Sequence, residues 1–168
     1  MLISEKIVPS MNKQIGSELL ASNQYLSIAS YFDLQSLPEL AGFFFRQSDE
    51  ERMHALKFVH FLLDADAQVA IPAIDAPAAD ISSAEQAVQM SLEWEKQVTE
   101  QINDLMDLAQ SEKDHASQQF LRWFVDEQVE EVSTMDELLA IVRHAGDSPL
   151  LIEEYLARRG DPHAGEGA

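Results

Sequence analysis

Four long stretches of this chain repeat apolar residues at steps of three and four, and each sets an acid on the apolar stripe itself. The first stripe reads Met11, Ile15, Glu18, Ser22, Tyr25 and Ala29, and the second Leu40, Phe44, Gln47, Glu51, His54, Phe58 and Phe61. The third reads Val88, Ser91, Glu95, Val98, Ile102, Leu105 and Ala109, and the fourth Phe120, Phe124, Gln128, Glu131, Met135, Leu138 and Val142. A 3.6-residue period aligns such positions on one helical face, so burying the stripe carries its acid into the core. Burying an ionised carboxylate costs several kcal/mol, and such groups are rarely found inside a protein unless paired or bound to a metal.

Turn signals separate these stretches and predict an all-α chain. The first helix is expected over 4–32. Ser36 and Glu39 have capping-box spacing with Pro38 in the first turn, which predicts a second helix over 36–64. Periodicity is lost over 65–81, where Pro72 and Pro77 forbid a continuous helix. About 17 extended residues can run back along a helix of roughly 40 Å, which makes the second and third helices parallel in an otherwise antiparallel four-helix bundle with a long crossover. Ser82 with Glu85 opens a third helix over 82–110, and Ser111 with Asp114 a fourth, stopped by Gly146. Ser148 and Pro149 start a short fifth helix that ends at Gly160. The surplus of apolar residues on that helix suggests contact with another subunit. The expected organisation is a single domain over 1–160 and a disordered tail over 161–168.

Composition narrows the chemistry. Eleven Lys and Arg against thirty Asp and Glu give a formal charge of −19, which repels nucleic acid and anionic membrane surfaces and favours cations as partners. There is no cysteine, so disulfides, iron–sulfur clusters and thiolate-bound metals are excluded, and any metal must sit on Glu, Asp, His or Gln. The first residues carry Glu5 and Lys6 and do not read as a secretory signal. No apolar run approaches the roughly 18 residues of a membrane span, and a cytoplasmic location is expected.

Two divalent ions balance four converging carboxylates, and carboxylate oxygens are hard ligands suited to iron or manganese. Glu51 and His54 are three residues apart and share a helical face, so Glu51 can bridge two ions while His54 ligates one. The second ion falls to Glu51 and Glu95, with Glu131 or Gln128 as a further ligand.

The run Asp49-Glu50-Glu51-Arg52-Met53-His54-Ala55 resembles the ferritin second-helix motif, and the segment from Trp123 to Glu131 resembles the prokaryotic ferritin fourth-helix motif. The likeness extends over nearly the whole chain. It implies a non-haem ferritin whose subunit oxidises Fe(II) with O2 or H2O2 and stores the product as a ferric oxy-hydroxide mineral. The expected assembly is a homo-oligomeric shell of twenty-four subunits, with the fifth helix at the four-fold contacts. It further implies Glu18, Glu51 and His54 for a first iron, and Glu51 and Glu95 for a second, with Gln128 and Glu131 close by. A more labile third iron position on Glu50, Glu127, Glu130 and Glu131 is also implied. Tyr25 matches the family's site tyrosine, a hydrogen-bond donor or electron source during oxygen chemistry, and Trp123 is a candidate for a similar role.

The departures discriminate among relatives. The di-iron pattern of this superfamily has Glu-x-x-His on two helices, but no His stands three residues after Glu127. Bacterioferritins also place a haem-ligating Met two residues before the second-helix His, where this chain has Arg52, so no haem is expected. Rubrerythrins need Cys-ligated iron that this chain cannot build. A cytokine-like structural bundle predicts seams without aligned acids, and a di-iron oxidase of organic substrates needs a substrate pocket and an electron-transfer partner.

Overall fold

The computed structural model describes residues 1–160; the expected tail over 161–168 lies outside them. Five helices follow one another: α1 (Val8–Leu34), α2 (Pro38–Asp64), α3 (Ala84–Ser111), α4 (His115–Ala145) and α5 (Pro149–Arg159), with no strand among the described residues. α1 packs chiefly on α2 and α3 on α4, each pair joined by a three-residue turn, and α5 lies across α2 and α4. No described helix is long and apolar enough to cross a membrane.

The expected stripes are the buried ones: every seam residue named above is buried except Phe61 and Phe120, which are half-buried and stack on each other at 4.1 Å. The core divides into two apolar clusters. One holds Tyr25, Phe32, Phe44, Met135 and Leu138, the other Ile7, Met11, Ile15, Phe58 and Phe124. The acids lie in the polar layer between them.

The helix starts depart from the sequence expectation in instructive ways. α1 begins at Val8 rather than residue 4, because a longer helix would put Pro9 in its interior, where the ring clashes with a carbonyl and donates no hydrogen bond. Ser36 does not cap α2: it takes a left-handed φ of 59° to reverse the chain, and Leu37 holds the cap position without a side-chain bond. Glu153 of α5 caps instead, accepting from the Glu39 and Leu40 amides at 3.1 and 2.9 Å. The box at α3 is shifted by one residue: Ser83 accepts from the Gln86 amide, and Gln86 Oε1 accepts in return from the Ser82 amide. Ser111 closes α3, and Asp114 caps α4 by accepting from the Ser117 amide at 3.0 Å. Ser148 occupies the cap of α5 without a side-chain bond, and Gly160, at φ 69°, ends that helix as expected.

The crossover, residues 65–83, runs along α1 from its start toward its end. Asn12 brackets it by donating to the Gln68 carbonyl and accepting from the Ala70 amide, and Gln24 does the same with Ala78. Between them a Cβ on Gly16 would lie 2.5 Å from Pro72 Cγ, so only glycine lets the strap lie flat. The strap therefore delivers α3 to the end where α2 begins, and α2 and α3 run parallel.

The Glu153 bond satisfies amides that every helix start leaves without partners, and a lost cap costs about 1 kcal/mol, or roughly a fivefold change in a local opening equilibrium. Hydrogen exchange on Glu153→Ala is expected to show the Glu39 and Leu40 amides exchanging about fivefold faster than wild type. Unchanged rates there would mean that water caps α2 equally well.

Candidate metal centre

The site is set first by how closely α1 and α2 approach. Ser22 Oγ donates to the Ser48 carbonyl and Ser48 Oγ to the Ser22 carbonyl, both at 2.8 Å, which locks two small residues back to back. That register brings Glu18, one turn before Ser22, level with Glu51 and His54. On the other pair, Gln128 Nε2 lies 3.1 Å from the Glu95 carbonyl and 3.2 Å from Glu95 Oε2, which aligns α4 against α3.

Glu18, Glu51, Glu95 and Glu131 are all buried, the most accessible at 4% exposure, and His54 is buried among them. His54 Nδ1 lies 3.4 Å from Glu51 Oε2 and 3.9 Å from Glu18 Oε2, while Nε2 faces Glu127 Oε1 at 3.8 Å. Tyr25 hydroxyl donates to Glu95 Oε1. Three overlapping groups have ligand atoms within 4.8 Å of one another: Glu18, Glu51 and His54; Glu51, Glu95 and Glu131; and His54, Glu127 and Glu131. The first two share Glu51, the geometry of two adjacent cation positions joined by one carboxylate.

The remaining candidates divide. Glu50 and Glu127 are half-buried and Glu130 is exposed; with Glu131 they line a pocket of about 490 Å³ between α2, α4 and α5. Glu50 and Glu130 do not enter the three tight groups. Trp123 is 40% exposed and meets His54 edge to face at 5.5 Å, with Lys57 Nζ 4.2 Å over its ring. Sequence reasoning missed Gln14, which is buried and donates from Nε2 to Glu18 Oε1 at 2.8 Å. Its signal was its place one turn before Glu18.

Charge is the unsolved problem of this layer. Among the described residues no lysine or arginine pairs with Glu18, Glu51, Glu95 or Glu131, and Glu18 Oε2 and Glu51 Oε1 are buried without a hydrogen-bond partner. Burial raises the Glu51 and Glu131 carboxyls well above the ordinary range, and the neighbouring acids, Glu95 foremost, raise them further. Glu18 is raised by burial, opposed in part by its interaction with the Glu51 carboxyl and then by the Gln14 hydrogen bond. Burial pushes Glu95 up to about 7 against the hydrogen bonds from Tyr25 and Gln128. Burial, then the Glu95 charge, raises Tyr25 well above 10, so it stays a neutral donor. Divalent cations fit this donor set: they satisfy the unpartnered oxygens and cancel the repulsion, and oxygen-rich ligands with one imidazole suit iron.

A carboxyl raised on folding stabilises the fold fully below its unfolded value of 4.5, and that contribution is lost as the pH climbs through the folded value, about 7 for Glu95. The metal-free protein should therefore lose thermal stability between about pH 5 and pH 8, and Glu95→Gln should flatten that fall. Thermal unfolding followed by circular dichroism checks this; a wild-type stability that climbs across the interval would contradict it.

The family model for the ferritin-like domain matches residues 10–145. The chain is 45% identical over 145 residues to ferritin BfrB of Mycolicibacterium smegmatis, covering 86% of this chain and 80% of that one. It is 34% identical over 161 residues to the bacterial non-heme ferritin of Staphylococcus epidermidis, covering 94% and 97%. An open-pore ferritin of the hyperthermophilic archaeon Archaeoglobus fulgidus superposes with a TM-score of 0.89 at 35% identity, covering 94% of this chain and 98% of that one. With the bundle, the parallel crossover and the layer of buried acids in place, the chain belongs to the ferritin family, among the non-haem prokaryotic ferritins that store iron.

Proposed function

We propose that this subunit is a ferroxidase that takes two Fe(II) ions as substrate in the polar layer of its bundle. The reading rests on one observation above all: two buried ligand groups share Glu51, and among the described residues no lysine or arginine pairs with their carboxylates. Glu18 and His54 hold the first iron, Glu95 holds the second, Glu51 bridges, and Glu131 and Gln128 complete the second position. The looser, oxygen-rich second position follows from the absence of a histidine three residues after Glu127.

Each Fe(II) gives up one electron. O2 takes two electrons and two protons to become H2O2, or H2O2 takes the same to become two waters. Water bound to the resulting Fe(III) is acidic and releases protons toward a hydroxide product. Tyr25 holds Glu95 in place through its hydroxyl and is an oxidisable side chain in contact with a ligand of the second position; Trp123, against His54, is a second electron source. The half-buried Glu50 and Glu127 and the exposed Glu130 give the product a graded path out of the layer, and form a third, weaker iron position.

Storage needs an enclosed volume. A homo-oligomeric shell of twenty-four subunits, holding a ferric oxy-hydroxide mineral in the cytoplasm, is the assembly that this reading requires. Support comes from the match to ferritins over almost the whole chain and from exposed apolar residues, Leu34, Leu150 and Leu151, at the end of the bundle where α5 begins. No haem enters the reading, since Arg52 stands where a haem-ligating Met would be required.

Aerobic addition of Fe(II) to metal-free protein, with oxygen uptake recorded, should give oxidation roughly tenfold or more slower in Glu51→Ala and His54→Ala than in wild type, since loss of even outer partners of a metal ligand costs that much. Equal rates in all three would remove these residues from the chemistry. Light scattering on the same samples should find a large shell carrying soluble iron; a species of single-subunit mass would contradict storage.

A further inference from the structure

Glu18 is the acid of the first ligand group that accepts a hydrogen bond from a buried side-chain amide. Oε1 accepts from Gln14 Nε2 at 2.8 Å, while Oε2 has no hydrogen-bond partner and lies 3.9 Å from His54 Nδ1. Gln14 stands one helical turn before Glu18 on the same face of α1 and is 3% exposed. Its neighbours on α1, Met11 and Ile15, are fully buried. A buried amide N–H is costly without an acceptor, and an amide nitrogen donates only, so Glu18 Oε1 serves as its acceptor.

We infer that Gln14 is a positioning residue of the first iron position, holding Glu18 by Oε1 so that Oε2 alone is presented to the metal beside His54. This rests on the reading of Glu18, Glu51 and His54 as that position. The amide fixes the plane of the carboxylate before any ion arrives, which removes the rotational freedom that a lone buried carboxylate would have to lose on binding. It also makes a two-oxygen grip by Glu18 costly, since gripping through Oε1 would strand the Gln14 donor. Glu18 therefore acts as a single-oxygen ligand, and Glu51 is left as the bridging carboxylate. The second position, built from Glu51, Glu95 and Glu131, owes nothing to Gln14.

The test uses Co(II) as an optical probe in anaerobic titrations of the metal-free assembly, reading d–d absorption and binding affinity. Glu18→Gln identifies the band of the first position by losing it, and Glu95→Gln identifies that of the second. Gln14→Met keeps the volume but removes the donor, and Gln14→Leu is a second variant with the same chemistry in case the first does not assemble. The expected result is a first-position affinity about tenfold weaker, with a shifted band, and a second position like wild type. Wild-type affinity and band at both positions would overturn the role of Gln14. An equal loss at both positions would also overturn it, as it would show a general collapse of the layer. If Glu18→Gln binds cobalt as wild type does, the assignment of the first position itself fails, a result distinct from failure of Gln14 alone.

Discussion

Mutual repulsion of carboxylates withheld from water is the constraint around which this structure is arranged. Glu18, Glu51, Glu95 and Glu131 sit in a layer that divides the core, and each is raised above its ordinary range by burial; the neighbouring acids raise Glu51 and Glu131 further, while hydrogen bonds oppose the rise at Glu18 and Glu95. The apolar clusters on either side supply the burial that keeps the bundle closed over this layer, at roughly 25 cal/mol per Å² of apolar surface. Tyr25, Gln14 and Gln128 reduce the cost by donating to individual oxygens, but none carries a positive charge. Two divalent ions are the simplest complement, and in this account the energy stored in the metal-free layer is what makes it a good receptor for them.

Such a layer works only if four helices agree in register to within a fraction of a turn. The devices that achieve this are mostly small and polar. Ser22 and Ser48 exchange bonds across α1 and α2; Gln128 aligns α4 with the Glu95 turn of α3. Asn12, Gly16 and Gln24 fasten the crossover along α1, and with it the direction of α3. Glu153 ties α5 to the start of α2, and Arg159 of the same helix reaches Glu137 of α4 at 3.4 Å. The pocket that reaches Glu131 from outside is walled in part by Leu156 and Arg159, so the placement of α5 bears on access to the acids.

Periodicity made the bundle and the identity of the buried acids legible, because the stripe and its burial are both local properties of a 3.6-residue repeat. The second-helix motif around Glu51 and His54 pointed to the family for the same reason: its spacing is meaningful within one helix. Helix starts were less legible. Ser36, Ser82 and Ser111 had the right neighbours for caps, but the three-residue turns and Pro9 decided where the backbone could become helical, and Glu153 supplied a cap from more than a hundred residues away. Gln14 was legible only in part: its place one turn before Glu18 was readable, but spacing alone does not show that the two side chains bond. The difference between Glu127, which joins His54 and Glu131 in a tight group, and Glu50 and Glu130, which join none, is one of spatial placement, and adjacent acids in a sequence do not reveal that.

The central claim is that the buried acids form two adjacent iron positions joined by Glu51. Anomalous diffraction at the iron edge, from crystals of metal-free protein soaked anaerobically in Fe(II), measures this directly. The account predicts two strong peaks inside each subunit's bundle, one against Glu18 and His54 and one against Glu95, with Glu51 between them. Iron found only on the exposed acids, with the layer empty and its carboxyls protonated, would contradict it.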